Sequence, residues 1–208
     1  MLDDCSTCQK DFEGWSIEET RECTRDLLSI FKTHPCVIIA YTVDLRDVLD
    51  VFPEAEGGRE YNLANILLLF CVLNYLSRTI LSDPRWPEEM LALIHEHGDY
   101  DAVLLDAFNR KLLDPALKHR DKFLSFTAMK PENCILLEAA DFIAYESFKA
   151  VDRELQGHKR RKSLELLLDL NSVGGRSVKL GKQGIEQCRA NLTVESKPIL
   201  FKNARITL

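Results

Sequence analysis

The run Ile135–Val151, I-L-L-E-A-A-D-F-I-A-Y-E-S-F-K-A-V, constrains the fold more than any other stretch of the chain. At about 100° per residue, Leu136, Ala140, Ile143, Ala144, Ser147 and Val151 fall on one small and aliphatic helix face. Glu138, Asp141, Tyr145 and Lys149 line up on the other side, three to four residues apart, as side chains do along a helix. A helix that must pack tightly on one side therefore carries two carboxylates on the other. Taken alone that stripe is a solvated face, and its meaning depends on what the rest of the chain brings near it.

The chain has 208 residues, enough for one good core or for one domain with an appendage. A net charge of −6 argues against a protein that coats nucleic acid generally, while leaving room for a local basic groove. The longest apolar run, Ile66–Leu73 between Asn65 and Asn74, is too short to span a bilayer. The first ten residues have neither a basic start nor an apolar signal core, so no export is expected. Seven cysteines, an odd number, point to reduced thiols in a cytoplasm. Cys5 and Cys8 have the spacing of half a zinc knuckle, but no second pair accompanies them, and they read as incidental thiols.

Local signals divide the chain into alternating elements. Ser16 and Glu19 form a capping box that opens a helix bearing Ile17, Cys23, Leu27, Leu28 and Phe31 on one face. Cys36–Val43 is short, rich in β-branched residues and almost continuously apolar, as a strand covered on both faces requires. A short helix over Asp44–Val51 precedes a Pro53 and Gly57-Gly58 loop, and a long apolar helix then runs from Glu60 to about Leu81. Met90–Glu96 reads as a second buried strand, Asp101–Leu113 as a helix, and Lys122–Met129 as a third strand alternating Phe123, Ser125 and Thr127 against Leu124, Phe126 and Ala128. Beyond Val151 the character changes to a charged stretch with the basic cluster His158–Lys162, a short helix over Ser163–Leu170, a glycine-rich region at Gly174–Gly184 and a helical piece near Ile185–Ala190. Strands alternating with helices predict an α/β layer with mostly parallel strands, although three strands make a thin sheet for so many helices.

The segment His95-Glu96-His97-Gly98-Asp99 sits where a strand ends, which is where open α/β sheets bind ligands. Residues two apart on a strand point the same way, so His95 and His97 are one candidate pair of zinc ligands, though a third protein ligand is not evident. Alternatively Glu96, on the other face, joins Asp141 as a hard oxygen site for Mg²⁺ or Mn²⁺. A purely structural turn is the third reading, and the spacing does not choose among them. The basic cluster reads as solvated surface, or as a grip on a phosphate backbone if it lies beside a carboxylate site.

The order Phe12–Ser16, a buried strand ending Val43–Leu45, a long apolar helix, His95–Asp99 and Leu136–Glu146 resembles the domain-of-unknown-function family numbered 3800. The similarity runs from about Asp4 to about Leu168. Its most specific piece is A-A-D-F-I-A-Y-E, similar to that family's Q-x-A-D-x-x-A-Y signature, with Glu138 standing where the family usually has Gln. The resemblance implies an RNase H-like α/β fold over residues 1–155, incomplete at its N-terminus, followed by a helical and irregular extension over 156–208. It further implies a divalent-metal nuclease in which Asp141 and Glu96 are catalytic metal ligands for Mg²⁺ or Mn²⁺. Glu138, Tyr145, His97 and Asp99 then support those ligands, and Lys149, Lys159, Arg160 and Arg161 contact phosphate. Family members begin with a strand carrying Asp-Glu-Ser-Gly and a hairpin, and that motif occurs nowhere in this chain. The expectation is therefore a fragment, or a shortened relative with an impaired site. The competing expectation is a non-catalytic interaction module, such as a subunit of a defence or mobile-element system, that pairs with a partner or a second copy through an open sheet edge.

Overall fold

The computed structural model describes residues 38–85, 87–158 and 175–191, with Ser16 and six positions between 18 and 29. Ser16 and Glu19 make the reciprocal capping pair: the Glu19 carboxylate accepts from the Ser16 amide at 2.7 Å, and the Ser16 hydroxyl accepts from the Glu19 amide at 3.2 Å. The short helix expected over Ser163–Leu170, the Cys5 and Cys8 pair, and Lys159, Arg160 and Arg161 lie outside the described residues.

In chain order the elements are β1 (Ile38–Val43), α1 (Leu45–Val51), α2 (Glu60–Tyr75), β2 (Leu91–Glu96), α3 (Asp101–Leu113), β3 (Phe123–Met129), α4 (Ile135–Leu155), β4 (Gly175–Leu180) and α5 (Lys182–Asn191). This is a mixed α/β fold in which every described strand pairing is parallel. β1 pairs with β4 and β2 with β3, giving two separate two-stranded sheets. Parallel strands need their faces covered, because crossover helices are what connect them. Here α2 and α4 both pack on β1, α4 also touches β2, and α3 packs on β3. No residue of β1 is exposed.

Local chemistry explains most boundaries. Asp44 caps α1, its carboxylate accepting from the Arg46 amide at 2.9 Å and pairing with the Arg46 guanidinium at 2.8 Å. Those contacts hold the Asp44 carboxyl well down, at about 2. After Tyr75, α2 widens into a π-helical turn over Leu76–Ile80, where the buried Ser77 hydroxyl donates to the Lys118 carbonyl at 2.5 Å. Counted with that turn, Glu60–Ile80 spans 21 residues and is long and apolar enough, by length and composition only, to cross a membrane. The short-run criterion applied to Ile66–Leu73 did not anticipate this, since the two asparagines that bound the run do not end the helix. In the fold this helix packs against α1, α3 and β1.

Three expectations are corrected. The glycine-rich stretch after Gly174 holds a strand: β4 runs beside β1 in register from Ile38 opposite Gly175 to Val43 opposite Leu180. Its residues G-R-S-V-K-L carry no alternating apolar pattern, because this strand is recruited by a partner far away in the chain. The alternation expected in β3 is broken by an irregularity in register, with Leu91 opposite Phe123 and Ala92 opposite Ser125. The extra residue, Leu124, is exposed, and Phe123 and Phe126 both join the core beside Phe108. Finally, α4 is rotated from its expected packing face toward the Glu146 edge. Glu146, Ser147 and Ala150 are buried, whereas Leu136, Ala140 and Ala144 are exposed. Small residues on several sides of α4 leave the apolar pattern too weak to fix its rotation.

The core has three parts. Val48, Val51, Phe52, Ala55, Leu63, Ala64, Leu67 and Ile185 form one cluster, which draws α1, α2 and α5 together. Leu73, Leu81, Phe108, Leu117 and Phe123 form a second, and Ile66, Leu104 and Ala107 a third. Ile185 is completely buried although it lies in the segment expected to be an extension. Truncating it to alanine leaves a cavity under α1 and α2, so Ile185→Ala is expected to lower stability by about 2–5 kcal/mol in urea unfolding. A change below about 0.5 kcal/mol would show that α5 is not part of the cooperative core.

Candidate active site at the end of strand β2

β2 alternates: Leu91, Leu93 and His95 are half-buried, while Ala92, Ile94 and Glu96 face out. His95 and Glu96 thus leave the strand on opposite sides, as the period of two requires. The His95 ring stacks on Phe126 with centroids 4.5 Å apart. Past Glu96 the ladder continues one step, the His97 amide donating to the Met129 carbonyl at 2.9 Å. The chain then turns at Gly98 and enters α3.

Asp101 organises that turn. Its Oδ1 accepts from the Gly98 amide at 3.0 Å, and its own amide donates to the Gly98 carbonyl at 3.1 Å. Its Oδ2 is hydrogen-bonded to Nδ1 of His97, and His95 Nδ1 lies 3.7 Å from Oδ1. The His95 Nδ1 itself is hydrogen-bonded to the Glu96 backbone oxygen at 2.9 Å, so of the two imidazoles only His97 is held by the Asp101 carboxylate. Partial burial works to raise the Asp101 pKa, but the Gly98 amide and the two histidines outweigh it and hold the carboxyl below its ordinary value. A carboxylate on Nδ1 fixes the tautomer of His97 and leaves Nε2 facing outward as a base or ligand atom.

Tyr100 is the second organiser. Its ring lies over Gly98 so closely that a Cβ there would stand 3.2–3.4 Å from the ring atoms and hydroxyl. Burial, and then the charges of Glu96, Asp101, Asp141 and Asp99, push its hydroxyl above the ordinary tyrosine range. The strand end, the turn, the first residue of α3 and the middle of α4 therefore bring four carboxylates within electrostatic reach of one phenol. Among the described residues, no hydrogen bond or salt bridge engages the carboxylates of Glu96, Asp99 or Asp141.

Of the residues singled out from the sequence, Glu96, Asp99 and Asp141 each act electrostatically on Tyr100, and His97 is hydrogen-bonded to Asp101 in the same turn. Glu138 is exposed one turn before Asp141. The Lys149 ammonium lies 5.8 Å from the centre of the Tyr145 ring, a cation–π contact along α4. Tyr100 and Asp101 were missed in the sequence, although the i to i+4 spacing of His97 and Asp101 across a helix start was a usable signal. Buried Glu146 was also missed, because its place in the A-Y-E triplet looked like one more polar position on an amphipathic helix. Among the described residues, no group of three or more His, Cys, Asp or Glu side chains stands close enough to hold a metal ion unaided. The donors present, carboxylate oxygens, are of the kind that suits a hard cation keeping much of its water.

The shared site makes a direct prediction. The Tyr100 phenol is expected to titrate above its ordinary value of 10.0, and Asp141→Asn to bring it down, as followed by NMR of ring-labelled tyrosine. A Tyr100 midpoint unmoved by that substitution would separate α4 from the strand-end site. No family model, no curated protein and no solved structure matches this chain.

Proposed function

We propose that this chain is an RNase H-like domain similar to the domain-of-unknown-function family 3800, acting in the cytoplasm as a divalent-metal-dependent hydrolase of phosphodiesters. The observation that carries the reading is the packing of α4, which bears Asp141, against β2, which ends at Glu96, and it is supported by the charges of both carboxylates acting on the Tyr100 phenol. Glu96 and Asp141 are the residues that would hold Mg²⁺ or Mn²⁺, a hard cation that takes carboxylate oxygens together with water and phosphate. Such an ion, when bound, supplies a nucleophile from water and neutralises the charge that develops on phosphorus. The chain's own part is positional. Asp101 orients His97, whose Nε2 would then be the group to take a proton from water, and Asp99 and Tyr100 are its neighbours in the same turn. Glu138, Tyr145 and Lys149 continue the stripe along α4, where the lysine is available to a phosphate at the cost of its contact with Tyr145.

The expected result is cleavage of DNA or RNA by the purified chain only with Mg²⁺ or Mn²⁺, abolished by Asp141→Ala. Cleavage that persists in chelator would sink the reading.

A second reading, an interaction module, is favoured by a different observation. Leu136, Phe148 and Leu155 are 59–70% exposed on one face of α4, together with Ala140 and Ala144. Among the described residues, β1 and β2 are each paired on one side only, which leaves strand edges open to a second copy or a partner. Here size-exclusion chromatography with light scattering is expected to give a dimer that Phe148→Glu dissociates. A monomer at all concentrations, with no partner bound, would count against it.

A further inference from the structure

α4 packs on β1 and β2, and its Glu146 and Ala150 are buried. At about 100° per residue, Leu137, Ala140, Ala144, Phe148 and Val151 fall together on the far side of the helix from those two. Ala140, Ala144 and Phe148, in the middle of that row, are exposed, and Leu137 and Val151 at its ends are half-buried. Apolar residues at steps of three and four along one side of a helix are how a helix presents itself to another helix. Here the middle of that row stands in solvent.

The row is symmetrical. Counted from Ala144 its members stand at −7, −4, 0, +4 and +7, so reversing the helix about Ala144 lays the row on itself. Two copies of α4 running antiparallel across a two-fold axis at Ala144 therefore set Ala140 beside Phe148 of the other copy, and Leu137 beside Val151. The large ring takes the space that the small side chain leaves, and alanine at the centre lets the helices approach to about 8 Å. The charges obey the same reversal. Glu138 and Asp141 flank the row in the first half of the helix, and Lys149 flanks it on the same side in the second. In an antiparallel pair like flanks meet, and Lys149 of one copy comes level with position 139 of the other, one step from Glu138 and two from Asp141. A parallel pair would instead set Phe148 on Phe148 and Glu138 on Glu138. The face is self-complementary in one direction only, as a two-fold contact between identical chains requires.

We propose that the outer face of α4 pairs with the same face of a second copy of this chain, antiparallel and centred on Ala144, with Lys149 of each copy set beside Glu138 and Asp141 of the other. The inference rests on the interaction reading above and makes it specific, since it names the occupant of the α4 face and the direction in which it lies. Pairing removes the Phe148 ring and the central alanines from water. It also brings a cation to an acidic flank, which favours this register over others that bury the same apolar area. Asp141 belongs to the strand-end site as well, so the two copies meet at the border of that site, and each supplies an ammonium to the acidic side of its neighbour.

The test is equilibrium sedimentation of the full chain over a wide concentration range, for the native protein, Glu138→Lys, Lys149→Glu and the double variant. The native chain is expected to dimerise. Each single reversal sets like charges together twice per dimer and is expected to weaken it by roughly tenfold or more. The double variant restores opposite charges and is expected to return to within about threefold of the native affinity. Under mild oxidation, Ala144→Cys is expected to link two copies through residue 144, as read by peptide mass spectrometry. A native dimer that neither reversal weakens, a double variant as weak as the singles, or a dimer in which Ala144→Cys forms no such link would overturn this pairing and leave association through another surface standing. A native chain that stays monomeric at every concentration would overturn both.

Discussion

Because α2 gives Leu63, Ala64 and Leu67 to one apolar cluster, Leu73 to a second and Ile66 to a third, it has no continuous polar side. A helix that is apolar all round must be surrounded, and here the surroundings are the two halves of the molecule. The β1–β4 pair and the β2–β3 pair share no backbone hydrogen bond. Isolated two-stranded pairs are marginal, so their coherence comes from helices that touch both halves. α2 does this through the core, and α4 does it from β1 to β2. The position of α4 relative to the end of β2 is therefore a packing outcome, and it is what brings Asp141 toward Glu96.

That arrangement gives the polar residues of α4 unequal roles. Asp141 is exposed and its charge reaches Tyr100 near the strand end, whereas Glu146 and Ser147 are taken into the interior. The hydroxyls of Ser147 and of Thr42 in β1 are buried without a hydrogen-bond partner among the described residues. Buried hydroxyls of this kind are uncommon in finished cores. They mark the neighbourhood of β1 and α4 as less completely satisfied than the cluster around Val48 and Leu63, where only apolar groups meet.

What could be read from the sequence was what short-range chemistry decides. The capping pair Ser16–Glu19, the Asp44 cap, the span Asp101–Leu113 and the strand ending at Glu96 all follow from residues within a few positions of one another. The opposite directions of His95 and Glu96 were reachable too, because strand alternation fixes a side. Distant contacts were not reachable. β4 is a strand only because β1 offers it an edge, the exposed Leu124 follows from the register β3 finds against β2, and the rotation of α4 depends on Glu146 entering the interior. The roles of Tyr100 and Asp101 fell between the two cases. Their signal was local, but it straddled a turn, where neither periodicity applies.

The close approach of Tyr100 to Gly98 has a consequence for how the site is carried by the chain. A ring lying on a backbone position without a side chain is held by the path of the chain, so its hydroxyl is a fixed reference for the groups around it. Of the charges that act on it among the described residues, all but that of Asp141 belong to the uninterrupted stretch from His95 to Asp101. The site is thus close to a cassette: seven consecutive residues supply its shape and most of its charge, and one helix supplies a single acidic group. Insertions or deletions elsewhere in the surface loops lengthen or shorten this molecule without disturbing it, whereas a single added residue inside the cassette would dismantle it.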